Sequence, residues 1–502
     1  MNKKSLLKCA VIGLVATLGL AACGTSKDAS GGSSSGKEVL EFYHGYHHSE
    51  DEWPVAKTMR DLYDKFAEEH KDSGVEFKPI PINGDLKDVM NNKVASGEFP
   101  DVIDLAGNAV SLAAIEQKLV LDLKPYIDSN KLEKNVGLNY KQNQKDGKIY
   151  TVHEQLFTMG LWYNKDIFAK AGAKTPDQWN TWEDFTQAMA TVRKQDGVYA
   201  FGAGEPSIRL FNTVLGTTEN GRKLLDKPLT KEGIESKEFA DALKMVMKEI
   251  QANGSKNAGG DANAYSKDFQ EGKSAVFFNG VWASGEMSKN PSLAPGIYPA
   301  GVAISSSGGG ITISSKMSEA KQKLALEFLK YMTSDDVQKV IFEKVGANPS
   351  DENVNVKELS EKSSEATTKI LGQAITQVKN AKVVVPTVSD VWGGDVHTAI
   401  INALTESASE NVDVDQKVKS TVEIIDWLIV LGSGNEAQLA LPTELDFTHI
   451  VEKRSLFMAQ KVMSLQNRKN QKRRFIFLFL LPTLICFFLF YFCSNNLFNF
   501  IC

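Results

Sequence analysis

The sequence predicts an α/β protein of two lobes with a ligand cleft between them, and three observations carry that expectation. Strand-like and helix-like segments alternate from Val39 to Leu105, the pattern of a mostly parallel sheet. The stretch Gly147 to Ala171 sets two apolar strands back to back around the polar pair Glu154 and Gln155, which suits a crossing between lobes. At 502 residues the chain also exceeds what one core ordinarily organises.

Taken in order, Val39 to Tyr43 reads as a strand, followed by the loop His44 to His48. The helical period of Val55, Met59, Leu62, Tyr63 and Phe66 then predicts a helix from Trp53 to His70. Val75 to Ile80 is a second strand, Leu86 to Met90 lies on a helix, and Val102 to Leu105 is a third strand. Ligands of open parallel sheets sit beyond the carboxyl ends of the strands, which directs attention to His44 to His48 and Ala106 to Asn108. Lys148 to Val152 and Phe157 to Tyr163 are the crossing strands. Helices follow at Lys165 to Ala171 and Trp182 to Arg193, the latter with Thr181 as N-cap and acids in its first turn. Tyr199 to Gly202 is a strand and Ser236 to Ala252 a helix; Ala275 to Glu286 reads as a buried strand, a turn and a helix start bearing Trp282. Ser305 to Ser315 is a loose loop and a strand, read as the chain's return to the first lobe. Further helices are expected at Ala320 to Thr333, Asp335 to Val345, Glu365 to Asn380, Asp395 to Leu404 and Val414 to Leu428.

Composition narrows the function. The formal net charge is -5, but three lysines near the start and eight bases from Lys453 to Arg474 lie in the tails, so the body between is more acidic still. Such a body is a poor nucleic-acid binder. The five cysteines are Cys9, Cys23, Cys486, Cys493 and Cys502, which leaves the body without disulfides, a thiol nucleophile or a thiolate metal site. No phosphate loop or nucleophile elbow is present, and no cofactor is called for.

Several runs resemble one family. Gly147-Lys148-Ile149-Tyr150, Trp162-Tyr163-Asn164-Lys165-Asp166 before a helix, Ala325 to Ser334, and Gly346-Ala347-Asn348-Pro349 are similar to the extracellular solute-binding proteins of carbohydrate ABC importers, family 1, of the maltose and multiple-sugar type. The resemblance spans about residues 38 to 426. It implies a type II periplasmic-binding-protein-like fold and no enzyme activity. It further implies a monomer that captures a sugar by hinge closure and delivers it to the membrane permease. The lobes expected on this basis are 38–148 with 308–346, and 149–307 with 347–428.

Sugars need aromatic planes for their C–H faces and acids or amides for their hydroxyls. By match to the family, Trp282, which follows Asn279-Gly280, and Trp392 are candidate stacking residues, and Asn108 and Glu205 candidate polar contacts. Asn279 itself joins the candidate set. Glu154, Gln155, Tyr46 and His47 complete it, from the crossing and from the loop after the first strand. His44, His47 and His48 also raise a metal-binding alternative, weakened because adjacent His47 and His48 cannot easily converge on one ion. A secreted glycosidase, with two carboxylates facing one bond, is the other alternative.

The ends carry further expectations. Residues 1–23 read as a secretory signal whose Leu20-Ala21-Ala22-Cys23 resembles the bacterial lipobox, implying lipidation of Cys23 and anchoring on the extracellular face of the cell membrane. Residues 24–37 form a Gly/Ser leash. Phe475 to Cys493 is uncharged and long enough to span a bilayer, preceded by Arg468, Lys469, Lys472, Arg473 and Arg474. Residues 468–502 resemble the start of a sugar ABC permease, with 429–467 as joining sequence.

Overall fold

The computed structural model describes residues 37–432 apart from 107–108, 256–261, 307–308 and 410. Cys23, Asn108 and the apolar run 475–493 lie outside the described residues.

The first sheet runs in the order Ile311–Ile313, Val102–Asp104, Glu38–His44, Val75–Pro81. The last three are parallel, as alternation with helices demands, and Ile311–Ile313 pairs antiparallel with Val102–Asp104. Helix Pro54–Glu69 begins with proline at its first turn, where a missing N–H costs nothing. It packs with helix Glu319–Met332 around a ring cluster in which Phe328 lies 4.7 Å from Phe42 and 5.1 Å from Phe66.

A second body holds two small sheets. In one, Leu293–Gly296, Leu161–Asn164, Ser274–Phe277 and Tyr199–Phe201 lie side by side, and only the last pairing is parallel. In the other, Val302–Ser306 pairs with Val383–Pro386 and Phe157–Met159. The continuous strand expected from Phe157 to Tyr163 is therefore divided at Gly160 between two sheets. A Cβ at Gly160 would stand 2.4 Å from the Gly296 carbonyl oxygen, so the division needs glycine. The Asn164-Lys165-Asp166 run has a local cause too: Asn164 Oδ1 accepts from the Asp166 and Ile167 amides and caps helix Lys165–Ala171. Thr181 caps helix Trp182–Val192 in the same manner, with Asp184 reciprocating.

The two bodies have separate apolar interiors. One is centred on Phe42, Phe66 and Phe328 and the other on Phe185, Phe211 and Phe239. The chain passes between them three times: Val152 belongs to the first interior and Met159 to the second, Ile304 to the second and Ile311 to the first, Ile341 to the first and Val354 to the second body. The expected strand Lys148 to Val152 is shortened to Lys148–Ile149, because Val152 leaves it to exchange hydrogen bonds with Ile311 on the returning pass, at 3.1 and 2.9 Å. Gly310 has a φ of +97°, and a Cβ there would meet Val152 and His153 backbone atoms at 2.6 Å. The first two passes touch only because Gly310 lacks a side chain.

Candidate ligand-binding site

A cavity of about 670 Å³ opens beyond the carboxyl ends of strands Glu38–His44 and Val102–Asp104. Its size falls within the range of small-ligand sites, roughly 300 to 1,000 Å³. The loop after the first strand supplies Tyr46, and the start of the next helix supplies Trp53, 39% exposed and stacked on Tyr46 with centroids 5.3 Å apart. From the second body comes Trp282, 42% exposed, its ring edge-on to Phe157 at 5.8 Å. Each body thus offers the cavity an exposed tryptophan, and an aromatic neighbour stiffens each.

The floor is polar and almost wholly buried. Asp104 ends the third strand, and His153 and Glu154 lie on the first pass between the bodies; they are 3%, 2% and 1% exposed. Side-chain atoms of the three lie within 4.8 Å of one another. Asp104 Oδ1 accepts from the Ala106 amide at 2.9 Å, which steadies a turn where Ala106 takes a φ of +44°. Burial pushes the Asp104 carboxyl up to about 6, against the pull of that amide. Burial, and next the Asp104 charge, push Glu154 well above the carboxylate range. Two full charges do not coexist comfortably at this spacing in a dry site.

The backbone of this floor is pinned from the first body. Asn139 Nδ2 donates to the His153 carbonyl and Asn139 Oδ1 accepts from the His153 amide, both at 3.0 Å. The fully buried Gln338 donates to the Glu154 carbonyl at 2.8 Å. Gln155 Nε2 donates to the Tyr46 hydroxyl at 2.8 Å, which ties the pass to the loop after the first strand.

Residues 52–339 match the model of the family described as bacterial extracellular solute-binding protein, more than half of the chain. The chain belongs to this family. A solved Streptococcus pneumoniae solute-binding protein in complex with the blood group A-trisaccharide is 96% identical, covers 78% of this chain and 100% of its own, and superposes with a TM-score of 0.72. The multiple sugar-binding protein of Streptococcus mutans is 24% identical over 346 residues, 64% of this chain and 77% of that one. A maltooligosaccharide ABC transporter solute-binding lipoprotein of Streptococcus pneumoniae is 27% identical over 403 residues, 74% and 87% of the two chains. This solute-binding protein is the carbohydrate-binding component of a sugar ABC importer and not an enzyme.

Of the candidates named from sequence, Tyr46, Glu154, Gln155 and Trp282 line the cavity of the solute-binding protein. Trp392 does not. It is 8% exposed in the second interior, beside Phe211 and Phe239, with Nε1 donating to the Leu224 carbonyl at 3.0 Å. The match to the family suggested a stacking residue, but the ring turns inward where apolar neighbours surround it. Glu205 stands away from the cavity wall and pairs with Arg209 at 3.2 Å. Asn279 folds back so that Oδ1 accepts from the next amide, Gly280. His47 contacts the Gly45 carbonyl through Nδ1 and lies 4.0 Å from the His48 ring, outside the cavity lining. His44, His47 and His48 do not converge; His44 is buried beneath Tyr63, its ring 4.9 Å away. Sequence reasoning missed Asp104, Trp53 and Phe157 as cavity residues. Asp104 was within reach of the strand-end rule, which pointed two positions too far along.

Proposed function

We propose that this solute-binding protein captures a short oligosaccharide of the blood group A-trisaccharide kind in the 670 Å³ cavity. The observation that carries the reading is the pairing of Trp53 and Trp282, one from each body, over a floor of buried hydroxyl-reading groups, in a chain 96% identical to one solved with that sugar. The rings cover C–H faces, and Asp104, His153, Glu154 and Gln155 meet hydroxyls. Contacts from both bodies favour a closed form about the three passes, and the closed form is what the importer's permease recognises. The lobes are 38–148 with 308–346 and 149–307 with 347–428, a division supported by the two interiors apart from Ile149, Val152 and Ala347, which pack with the first, and Phe342, which packs with the second body.

Cys23 is the lipid-bearing residue that tethers the protein outside the membrane, and residues 468–502 are the start of a permease joined to a binding protein. Labelling with palmitate, lost in Cys23→Ser, tests the first assignment; a cell-surface product of full mass with its tail inserted would overturn the second.

The test of capture is thermal unfolding against a panel of oligosaccharides. Ligand at 100 times its dissociation constant adds about 2.7 kcal/mol to stability. A shift with the trisaccharide that is lost in Trp282→Ala supports the reading. No shift with any sugar, from a folded protein, refutes it.

A further inference from the structure

Resting on the proposed sugar site, we propose that Asp104 and Glu154 carry one proton as a pair, that it resides on Glu154, and that this neutral acid donates it in a hydrogen bond to a sugar hydroxyl. Capture then weakens as pH rises and the proton is lost. The geometry asks for this arrangement. Both carboxyls are almost wholly buried and, with His153, bring side-chain atoms within 4.8 Å. Gln155 Nε2 approaches Glu154 Oε1 at 3.5 Å, whereas Glu154 Oε2 has no hydrogen-bond partner among the described residues although Glu154 lines the cavity. An ionised oxygen left bare there is costly. A protonated Oε2 is instead a donor awaiting an acceptor from the ligand.

Charged and titratable neighbours face the pair from several elements. Tyr46 from the loop and Tyr63 from the first helix are buried and held in the neutral form, their hydroxyls pushed well above the usual tyrosine range by burial. His44, at the end of the first strand, is pushed down to about 4 by burial and by Arg60, and so is neutral. Arg60 itself is committed to the Tyr46 and His48 carbonyls at 2.8 and 2.7 Å. His153 belongs to the trio, and Glu343 and Lys344 line the cavity from the third pass. The shifts follow the geometry: Asp104 gives up its proton at about 6 and Glu154 well above.

The test uses Glu154→Gln, which keeps an N–H donor and removes the charge in question. Residues 37–432 serve as the sample, since the 96% identical chain, covered in full by 78% of this one, was solved as a folded protein. Calorimetry with the blood group A-trisaccharide should show wild-type affinity falling toward about tenfold per pH unit once Glu154 titrates, and Glu154→Gln binding with a flat alkaline profile. Loss of affinity in Glu154→Gln at neutral pH would show that the ionised carboxylate is the acceptor and would overturn the proposal. Infrared spectra of the sugar-free protein decide the proton independently. A protonated-carboxyl band at neutral pH that disappears in Glu154→Gln supports it, and its absence from wild type overturns it even if the trisaccharide does not bind. Absence of trisaccharide binding in wild type together with the band would sink the sugar assignment alone.

Discussion

Replacing Gln338 by alanine should destabilise the protein more than any exposed substitution. Gln338 is fully buried on helix Asp335–Val340, and its Nε2 donates to the Met332 and Glu154 carbonyls at 2.6 and 2.8 Å. Its Oε1 accepts from the Ser350 amide and hydroxyl at 2.6 and 3.2 Å and from the Asp351 amide at 3.3 Å. One amide therefore joins the first and third passes. Truncation strands two carbonyls and at least one N–H, each costing about 1 to 3 kcal/mol if left bare. Water entering the vacated space repairs part of this, so a net loss of about 3 kcal/mol is expected. Urea unfolding at constant slope measures it as a shift in midpoint. Sugar affinity should fall as well, because the Glu154 backbone loses its anchor. A loss below about 1 kcal/mol would refute the claim that this amide holds the passes together.

The two tryptophans should separate function from packing. Trp282→Ala leaves unfolding stability nearly unchanged but weakens sugar binding by about 1 to 2 kcal/mol, whereas Trp392→Ala costs about 3 to 5 kcal/mol of stability, as a buried indole should; calorimetry and denaturant melts read the two. Gly310→Ala should disrupt the Val152 to Ile311 exchange and lower the melting temperature, since its Cβ strikes backbone at 2.6 Å and its φ of +97° disfavours any side chain. His44 gives an acid limb to stability. Its folded pKa of about 4 lies below the ordinary 6.5, so the unfolded chain binds the extra proton. The contribution is present above pH 6.5 and is lost as pH falls through about 4, up to ~3 kcal/mol. Asp104 works oppositely, losing stability as pH rises from 3.8 to about 6, so His44→Gln should tilt the acid profile rather than flatten it.

Much of the architecture was legible because it is written in local terms. The period of Pro54–Glu69, the strand–helix alternation of the first sheet and the Thr181 and Asn164 caps each depend on residues a few positions apart. Helix Ile208–Gly216 is only nine residues long, and burial takes in its polar Asn212 and Thr213 along with the apolar residues, so it was missed. The short helices Leu112–Glu116, Lys124–Asn130, Glu133–Val136 and Asn139–Gln142 are too brief to establish a period.

The site divides along the same line. From its sequence alone this protein declared two lobes, a polar crossing at Glu154 and Gln155, an aromatic at Trp282, and membership of a sugar-importer family. Which polar groups meet depends on the three passes, joined across nearly two hundred positions by contacts such as Gln338 to Glu154. No local pattern distinguishes Asp104 at the cavity floor from Asp101, which pairs with Lys321 at 2.5 Å just before the start of the same strand. The same holds for Trp282, half in solvent, and Trp392, sealed against Phe211. An indole carries no sign of which way it faces; that is decided by the side chains that fold around it, and so only by the tertiary structure.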